Sequence, residues 1–180
     1  ERKVNKLADS LADEVKKKLE TLDEYADKTV YSTADMFNNI YKFTNAGIDL
    51  DTATRAMIGI ANATADAGQG AQQASMAYYN LAQSLSTGYL TTIDYKSLNL
   101  ANIVTKDLKQ SLADTAVQMG TLKKVGDNLY STGKKQYNLQ QLFSEALSDQ
   151  WATTDVMMKV FGDYANAETE VGKRAWDAAT

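Results

Sequence analysis

Three carboxylates near the C-terminal end of the sequence come closest to a catalytic pattern. Asp163, Glu168 and Glu170 lie close together, and a pair of carboxyl groups is what glycoside hydrolysis requires. The more ordinary interpretation is an acidic face at the start of a helix, where carboxylates are stabilised by the helix dipole. Because no neighbouring residue suggests that one acts as acid and another as base, the sequence favours this second interpretation.

Two further motifs match ligand-binding sequences only in part. Asp49 and Asp51 alternate as some calcium ligands do, but the glycine and the bidentate acid of an EF-hand do not follow them at the required spacing. We interpret both as helix caps. The segment 68–70 (Gly-Gln-Gly) lacks the lysine and the hydroxyl residue of a phosphate-binding loop, so we interpret it as a helix break.

Lysines and tyrosines offer a possible surface for nucleic acid. Four lysines surround one irregular stretch: Lys123, Lys124, Lys134 and Lys135. In a chain of formal net charge −4 they indicate a solvated loop more than a nucleic-acid surface. Four tyrosines are candidates for stacking on bases: Tyr78, Tyr79, Tyr89 and Tyr95. Their helical spacing beside leucines predicts that most belong to a core or an interface.

The composition of the 180 residues removes whole classes of chemistry. The chain contains no Cys and no His, so thiolate nucleophiles, thiolate metal sites and every triad that uses histidine are excluded. We therefore predict no catalytic, cofactor-binding or metal site, no enzymatic activity, no small-molecule substrate and no sequence-specific binding of nucleic acid. The stretch between Asp66 and Asp94 is free of charge but too polar for a transmembrane helix, so no such segment is predicted.

The N-terminal region, residues 1–28, reads as a highly charged amphipathic helix. Its apolar residues step by three or four positions: Val4, Leu7, Leu11, Val15, Leu19 and Leu22. This narrow stripe is compatible with a coiled-coil strand that continues upstream in a longer chain. The sequence begins without an initiator methionine, which also favours a piece of a longer protein.

Capping residues and glycines divide residues 29–180 into short amphipathic helices, and the chain contains no proline to interrupt them. The positions expected to face the core include Met36, Phe37, Ile40, Tyr41, Phe43, Ile93, Leu98 and Met119. Between Thr121 and Asn138 the periodicity fails, and turn residues predict a loop or a small β-hairpin. The predicted fold is an all-α bundle with a longer N-terminal helix and a small irregular or β-hairpin insert around 121–138.

Eight short runs together resemble a known family; they are residues 29–36, 43–50, 74–81, 85–89, 93–98, 101–102, 114–122 and 151–156. In this order they are similar to the conserved domain of tail tape measure proteins of phages and prophages, over roughly residues 25–180. Two positions depart from that family: Tyr95, where Trp or Phe is frequent, and Asn99, where an acid is frequent. Both changes are compatible with a helix.

The resemblance implies a structural role in a phage tail. A tape measure protein is a mainly helical virion component that sets tail length during assembly and leaves the tail at genome ejection. Implied partners are other copies of the chain, the tail tube protein, tail assembly chaperones and baseplate or tip proteins. The implied location is the lumen of the tail tube, preceded by the host cytoplasm during assembly. Two alternatives stay open, a cell-wall hydrolase module and a secreted helical effector.

Overall fold

Nine α-helices, one 3-10 turn and a small sheet make up residues 2–180, the part of the chain that this computed structural model describes. The elements are α1 (Arg2–Lys28), α2 (Thr33–Asn45), α3 (Leu50–Asp66), α4 (Ala71–Thr87), α5 (Thr92–Leu100), α6 (Lys106–Met119), β1 (Lys123–Gly126), β2 (Leu129–Ser131), β3 (Gln136–Tyr137), α7 (Leu139–Ser144), the 3-10 turn (Leu147–Asp149), α8 (Thr154–Ala165) and α9 (Glu170–Ala179). This architecture confirms the predicted all-α bundle with a small β insert.

Side-chain caps set the starts of most helices, as the sequence predicted. Seven helices begin after a residue whose side chain accepts a hydrogen bond from the backbone N–H three positions later: Ser32, Asp49, Thr91, Thr105, Asn138, Thr153 and Thr169. Such a bond satisfies one of the N–H groups that have no partner in the first turn. At the other end, Gly88 and Gly120 close α4 and α6 in the left-handed conformation, which glycine adopts without strain.

Helix α3 lies at the centre and packs against α1, α2, α4, α8 and α9. Almost every side chain between Ala53 and Thr64 is buried, because the helix is covered on all sides. Its closest neighbour is α8: a Cβ atom placed on Gly59 would lie only 1.8 Å from the carbonyl oxygen of Phe161. The two helix backbones therefore touch at a position where only glycine fits.

Two sets of polar contacts, one buried and one at the surface, join α3 to α1, α8 and α9. Asn62 is fully buried; its amide nitrogen donates to the carbonyl oxygen of Tyr164 at 2.9 Å, and its Oδ1 accepts from the hydroxyl of Tyr25 at 2.7 Å. At the end of α3 the guanidinium of Arg174 binds both carboxylate oxygens of Asp66, at 2.7 and 3.0 Å. These contacts fix α1, α8 and α9 against the same central helix.

The insert between α6 and α7 is a three-stranded antiparallel sheet in the order β1-β2-β3. Asn128 turns the chain between β1 and β2 with φ +47, and its side-chain oxygen accepts from the backbone N–H of Leu139. Tyr130 of β2 is buried, and its hydroxyl oxygen accepts from the side-chain amide of Gln110 in α6 at 3.1 Å. The predicted β-hairpin is confirmed, with a third short strand added.

The prediction that Phe37 and Tyr41 face the core is wrong. Helix α2 buries Met36, Ile40 and Phe43, while Phe37 and Tyr41 are exposed. Each exposed residue follows a buried one by a single position, which is about 100° around the helix axis. The apolar arc of α2 is therefore wider than the side that α1, α3 and α4 cover.

Ile93 and Met119 are also exposed, against prediction. Ile93 is 78% exposed, whereas its neighbour Asp94 is buried. The Oδ2 atom of Asp94 accepts hydrogen bonds from the hydroxyls of Ser84 and Thr91, each at 2.8 Å. A carboxylate with such partners can be buried, and its position turns Ile93 towards solvent. Met119 lies at the end of α6, beside Gly120, where the helix leaves the core.

Candidate functional site

The three C-terminal carboxylates do not form a common site. Asp163 lies in α8, where one carboxylate oxygen is 2.8 Å from the amine of Lys159, and it lines a shallow cleft beside Arg55. Glu168 lies in the turn before α9 and Glu170 is the first residue of α9; both are exposed, and neither lines that cleft. Glu168 and Glu170 agree with the predicted acidic face at a helix start, whereas Asp163 does not, because it lies in the last turn of α8.

Asp49 and Asp51 have different structural roles. Asp49 caps α3, as predicted: hydrogen bonds from the backbone N–H and the hydroxyl of Thr52 hold the pKa of its carboxyl below the usual value. The interpretation of Asp51 as a second cap is wrong, because this residue lies inside the first turn. It pairs with Lys18 at 2.6 Å and with Arg55 at 3.1 Å, and the hydrogen bond from Lys18 lowers the pKa of its carboxyl. Asp51 therefore connects α1 to α3.

Residues 68–70 form a helix break, as predicted. Gly68 follows α3 with φ +76, and Gly70 precedes α4. The side-chain oxygen of Gln73 accepts the backbone N–H of Gly70 at 3.2 Å, so the segment satisfies its own N–H group. The glycines thus serve the sharp turn that places α4 beside α3.

The four predicted lysines all lie on the surface of the insert, with Lys123 and Lys124 on β1 and the other two between β2 and β3. Lys134 approaches Asp149 at 3.7 Å. Lys124 also lines an open cleft of about 710 Å³ with Lys106 and Lys109 of α6, a grouping that the sequence did not reveal. The lysines are solvated, in agreement with the prediction of a solvated loop.

The four tyrosines do not share a stacking surface. Tyr78 is buried in the core, and Tyr95 packs partly buried against Phe143, with ring centroids 5.3 Å apart. Tyr89 lies in a short antiparallel bridge with the residue before α8, and only Tyr79 is largely exposed. The prediction of core positions is confirmed for Tyr78 and Tyr95.

Alkaline titration is expected to unfold the chain, because buried phenols resist ionisation. Burial raises the pKa of Tyr31 and Tyr164 to about 12 and also raises those of Tyr25 and Tyr78 above the usual 10.0. The stability from these raised pKa values is complete below pH 10.0 and is lost as the pH rises towards 12. We expect tyrosinate absorbance and helix content to change together in that interval. Complete tyrosine ionisation near pH 10 with the helices intact would contradict this expectation.

The most conspicuous exposed feature is the first half of α1. Every residue from Arg2 to Lys17 is exposed, and the apolar stripe of Val4, Leu7, Leu11 and Val15 is between 69% and 43% exposed. The same side of the helix becomes buried further along, at Leu22 and Tyr25. The sequence predicted the stripe, and the structure shows that only its second half is covered.

Exposed apolar side chains also lie on the neighbouring helices α2 and α4. They are Phe37, Tyr41, Met76 and Tyr79, which we call together the aromatic patch. The amine of Lys42 lies 5.0 Å from the ring centre of Tyr79, a cation–π contact. Aromatic residues and methionine are enriched in surfaces that bind another protein.

The buried contacts of Asn62 with Tyr25 and Tyr164, the Asn62 cluster, were not predicted from the sequence. One signal was present, because Asn62 stands among small and apolar residues in the middle of α3, where a polar side chain needs a buried partner. Its partners, Tyr25 and Tyr164, are distant in the sequence and could not be inferred. The cluster has a structural role, since all its polar contacts join helices of the core.

Comparisons of the chain with protein-family models, curated proteins and solved structures found no match. Within residues 2–180, no group of three or more acidic side chains is placed to hold a metal ion. No helix in the same range has the length and apolar character needed to cross a bilayer. The exposed apolar side chains of the described residues make the exposed half of α1 and the aromatic patch the candidate functional features, because both offer apolar surface for contact with another protein.

Proposed function

We propose that this chain is a structural domain of a phage tail tape measure protein. The proposal rests on the sequence resemblance over residues 25–180 together with the surfaces described above. In this role the domain assembles with other copies of the chain and with tail components, acts in the host cytoplasm during assembly and inside the tail tube of the virion, and leaves the tail at genome ejection. It performs no catalytic step.

The observation that carries the proposal is the projecting helix α1. Its 27 residues correspond to about 40 Å of length at about 1.5 Å per residue. An isolated helical segment of this kind is marginally stable in water, so the exposed half gains stability when a partner covers its stripe. A helix that extends from a folded bundle and requires a partner is suited to an elongated assembly.

The aromatic patch supplies a second contact surface on the folded part of the domain. Under this proposal it binds a tail component, such as the tube protein, a tail assembly chaperone or a baseplate protein. Tyrosine and phenylalanine contribute large apolar areas with little loss of conformational entropy. Lys42 at the edge of the patch adds one positive charge, which favours an acidic partner surface.

Deleting residues 29–180 from the parent phage protein tests the role in length control. The bundle of 152 residues has an expected diameter of about 40 Å, so tails that keep this fold should shorten by no more than about that amount. If the same residues became one continuous helix inside the tube, the tails would shorten by about 230 Å. Tail length is measured by electron microscopy, and restoring the segment to the gene serves as the control.

Two other outcomes of this deletion distinguish length control from other roles of the segment. Loss of all tails would indicate that the segment acts in initiation or chaperone binding and not in the length itself. Infectious tails of unchanged length would contradict the proposed contribution to the ruler. The deletion removes both the aromatic patch and the bundle core, so a Phe37→Ser and Tyr41→Ser variant separates the patch from the bundle.

A further inference from the structure

The direction in which the exposed stripe of α1 faces restricts what can cover it. About five helical turns separate Val4 from Leu22, so the two side chains lie on the same side of the helix. Leu22 is fully buried, because α2 and α3 pack against that side. The exposed stripe is thus the continuation of a face that the chain's own bundle covers from about residue 18 onwards.

This geometry excludes a parallel copy of α1 in register. A parallel copy in register would lie along the stripe from residue 4 onwards and would then reach the space that α2 and α3 occupy. Its path is blocked near Lys18, whose amine is 2.6 Å from a carboxylate oxygen of Asp51 in α3.

An antiparallel partner of the right length fits without this obstruction. Such a helix passes along the stripe in the opposite direction, so its own bundle lies at the opposite end of the segment from α2 and α3 of the first copy. The exposed segment 2–17 of a second chain has the matching length, about 24 Å. When the two segments overlap fully, Val4 faces Val15 of the second copy and Leu7 faces Leu11, so every exposed apolar residue of the stripe gains an apolar partner.

We infer that two copies of this chain associate through antiparallel pairing of residues 2–17 of α1. The seam contains only four apolar residues from each copy, which predicts a small interface and weak, reversible association. The inference gives a specific geometry to self-association. It rests on the exposed helix and not on the proposed role in a phage tail, and its tests use the purified chain alone.

Sedimentation equilibrium tests the pairing surface. Between about 1 µM and about 1 mM, the average mass of the wild-type chain should rise from monomer towards dimer. Leu7→Glu combined with Leu11→Glu should remain monomeric throughout, because two carboxylates per chain would be buried in the seam. Ser10→Glu combined with Asn5→Glu is the matched control, since it adds the same charge away from the stripe and should still dimerise.

The exposed half of α1 does not contact the bundle, so the variants should have the wild-type thermal unfolding midpoint at low concentration. This measurement excludes misfolding as the reason for a loss of dimer. A wild-type chain that remains monomeric up to about 1 mM would overturn the inference. Equal dimerisation of the Leu7→Glu, Leu11→Glu variant would overturn it as well.

Spin labels test the orientation, and the absence of cysteine from the chain allows one label per copy. Asp9→Cys lies near the centre of the paired segment and Lys16→Cys lies near its end, both on the outer side of the helix. In an antiparallel pair the two labels at position 16 are separated by about 20 Å along the axis, and those at position 9 lie almost level. Equal distances at the two positions would indicate parallel pairing and overturn the inference.

Discussion

Replacing Gly59 with alanine is expected to lower the free energy of unfolding by about 3 kcal/mol or more. The new Cβ atom would lie 1.8 Å from the carbonyl oxygen of Phe161, which is part of a helix backbone and cannot rotate away. Helices α3 and α8 would have to separate, and this separation would loosen the packing around the centre of the bundle. Denaturant unfolding followed by circular dichroism measures the loss.

Gly162→Ala is the matched control, because Gly162 lies in α8, on the other side of the same helix contact. A Cβ atom at this position meets no atom within 4 Å. Alanine is favoured over glycine in a helix by about 1 kcal/mol, so this variant should be slightly more stable than the wild type. Equal effects of the two substitutions would show that α3 and α8 are not in close contact at Gly59.

Replacing Asn62 with leucine is expected to lower the free energy of unfolding by about 2 to 4 kcal/mol. Leucine has a similar size but cannot form the two hydrogen bonds of Asn62, so the hydroxyl of Tyr25 and the carbonyl of Tyr164 lose their partner inside the core. A buried polar group without a partner destabilises the fold by more than its hydrogen bond stabilises the fold when the partner is present. The same unfolding measurement gives the difference.

Two further variants separate the lost hydrogen bonds from a general effect of core substitution. Thr64→Val changes another fully buried polar residue of α3, but Thr64 donates only to Ile60 of its own helix, so the cost should stay below about 1 kcal/mol. Adding Tyr25→Phe to Asn62→Leu should recover part of the lost stability, because both partners of one bond are then apolar. An unchanged stability of the Asn62→Leu variant would contradict the described cluster.

Helix boundaries were the feature of the fold most readily predicted from the sequence. Ser32, Asp49 and Thr153 each accept a hydrogen bond from the backbone N–H three positions later, so their effect on the chain is local and independent of the tertiary structure. Gly88 and Gly120 act locally in the same way. Local causes of this kind can be inferred from a single sequence.

The orientation of the helices was predicted less well, because it depends on what covers each face. Periodicity identified an apolar arc on α2, but it did not show that Phe37 and Tyr41 would be left outside the packed side. On α5 the carboxylate of Asp94 accepts hydrogen bonds from Ser84 and Thr91, and these bonds turn Asp94 inward and leave the apolar side chain of Ile93 exposed. The exposure of these residues depends on contacts with other helices, and the apolar periodicity of one helix carries no information about such contacts.

The candidate interaction surfaces also combine a local feature that the sequence predicts with a tertiary feature that it does not. The stripe on α1 could be found from its spacing, whereas the boundary between its exposed and buried halves depends on where α3 begins to pack against Lys18 and Leu22. The aromatic patch combines residues of α2 and α4 and becomes visible only when those helices are placed side by side. Residues of these surfaces could be found from the sequence, but the way in which the fold leaves them exposed could not.

The central position of α3 has a consequence for the order of events during synthesis. Asn62 and its partner Tyr164 are separated by 102 residues, and Asp66 and Arg174 by 108. At a ribosomal rate of about 5 to 20 residues per second, the apolar surface of α3 waits at least about 5 seconds before α8 and α9 exist to cover it. A nascent chain of this protein therefore exposes the apolar side chains of its central helix until synthesis of the domain is nearly complete, and transiently exposed apolar surface of this kind is what chaperones protect from aggregation.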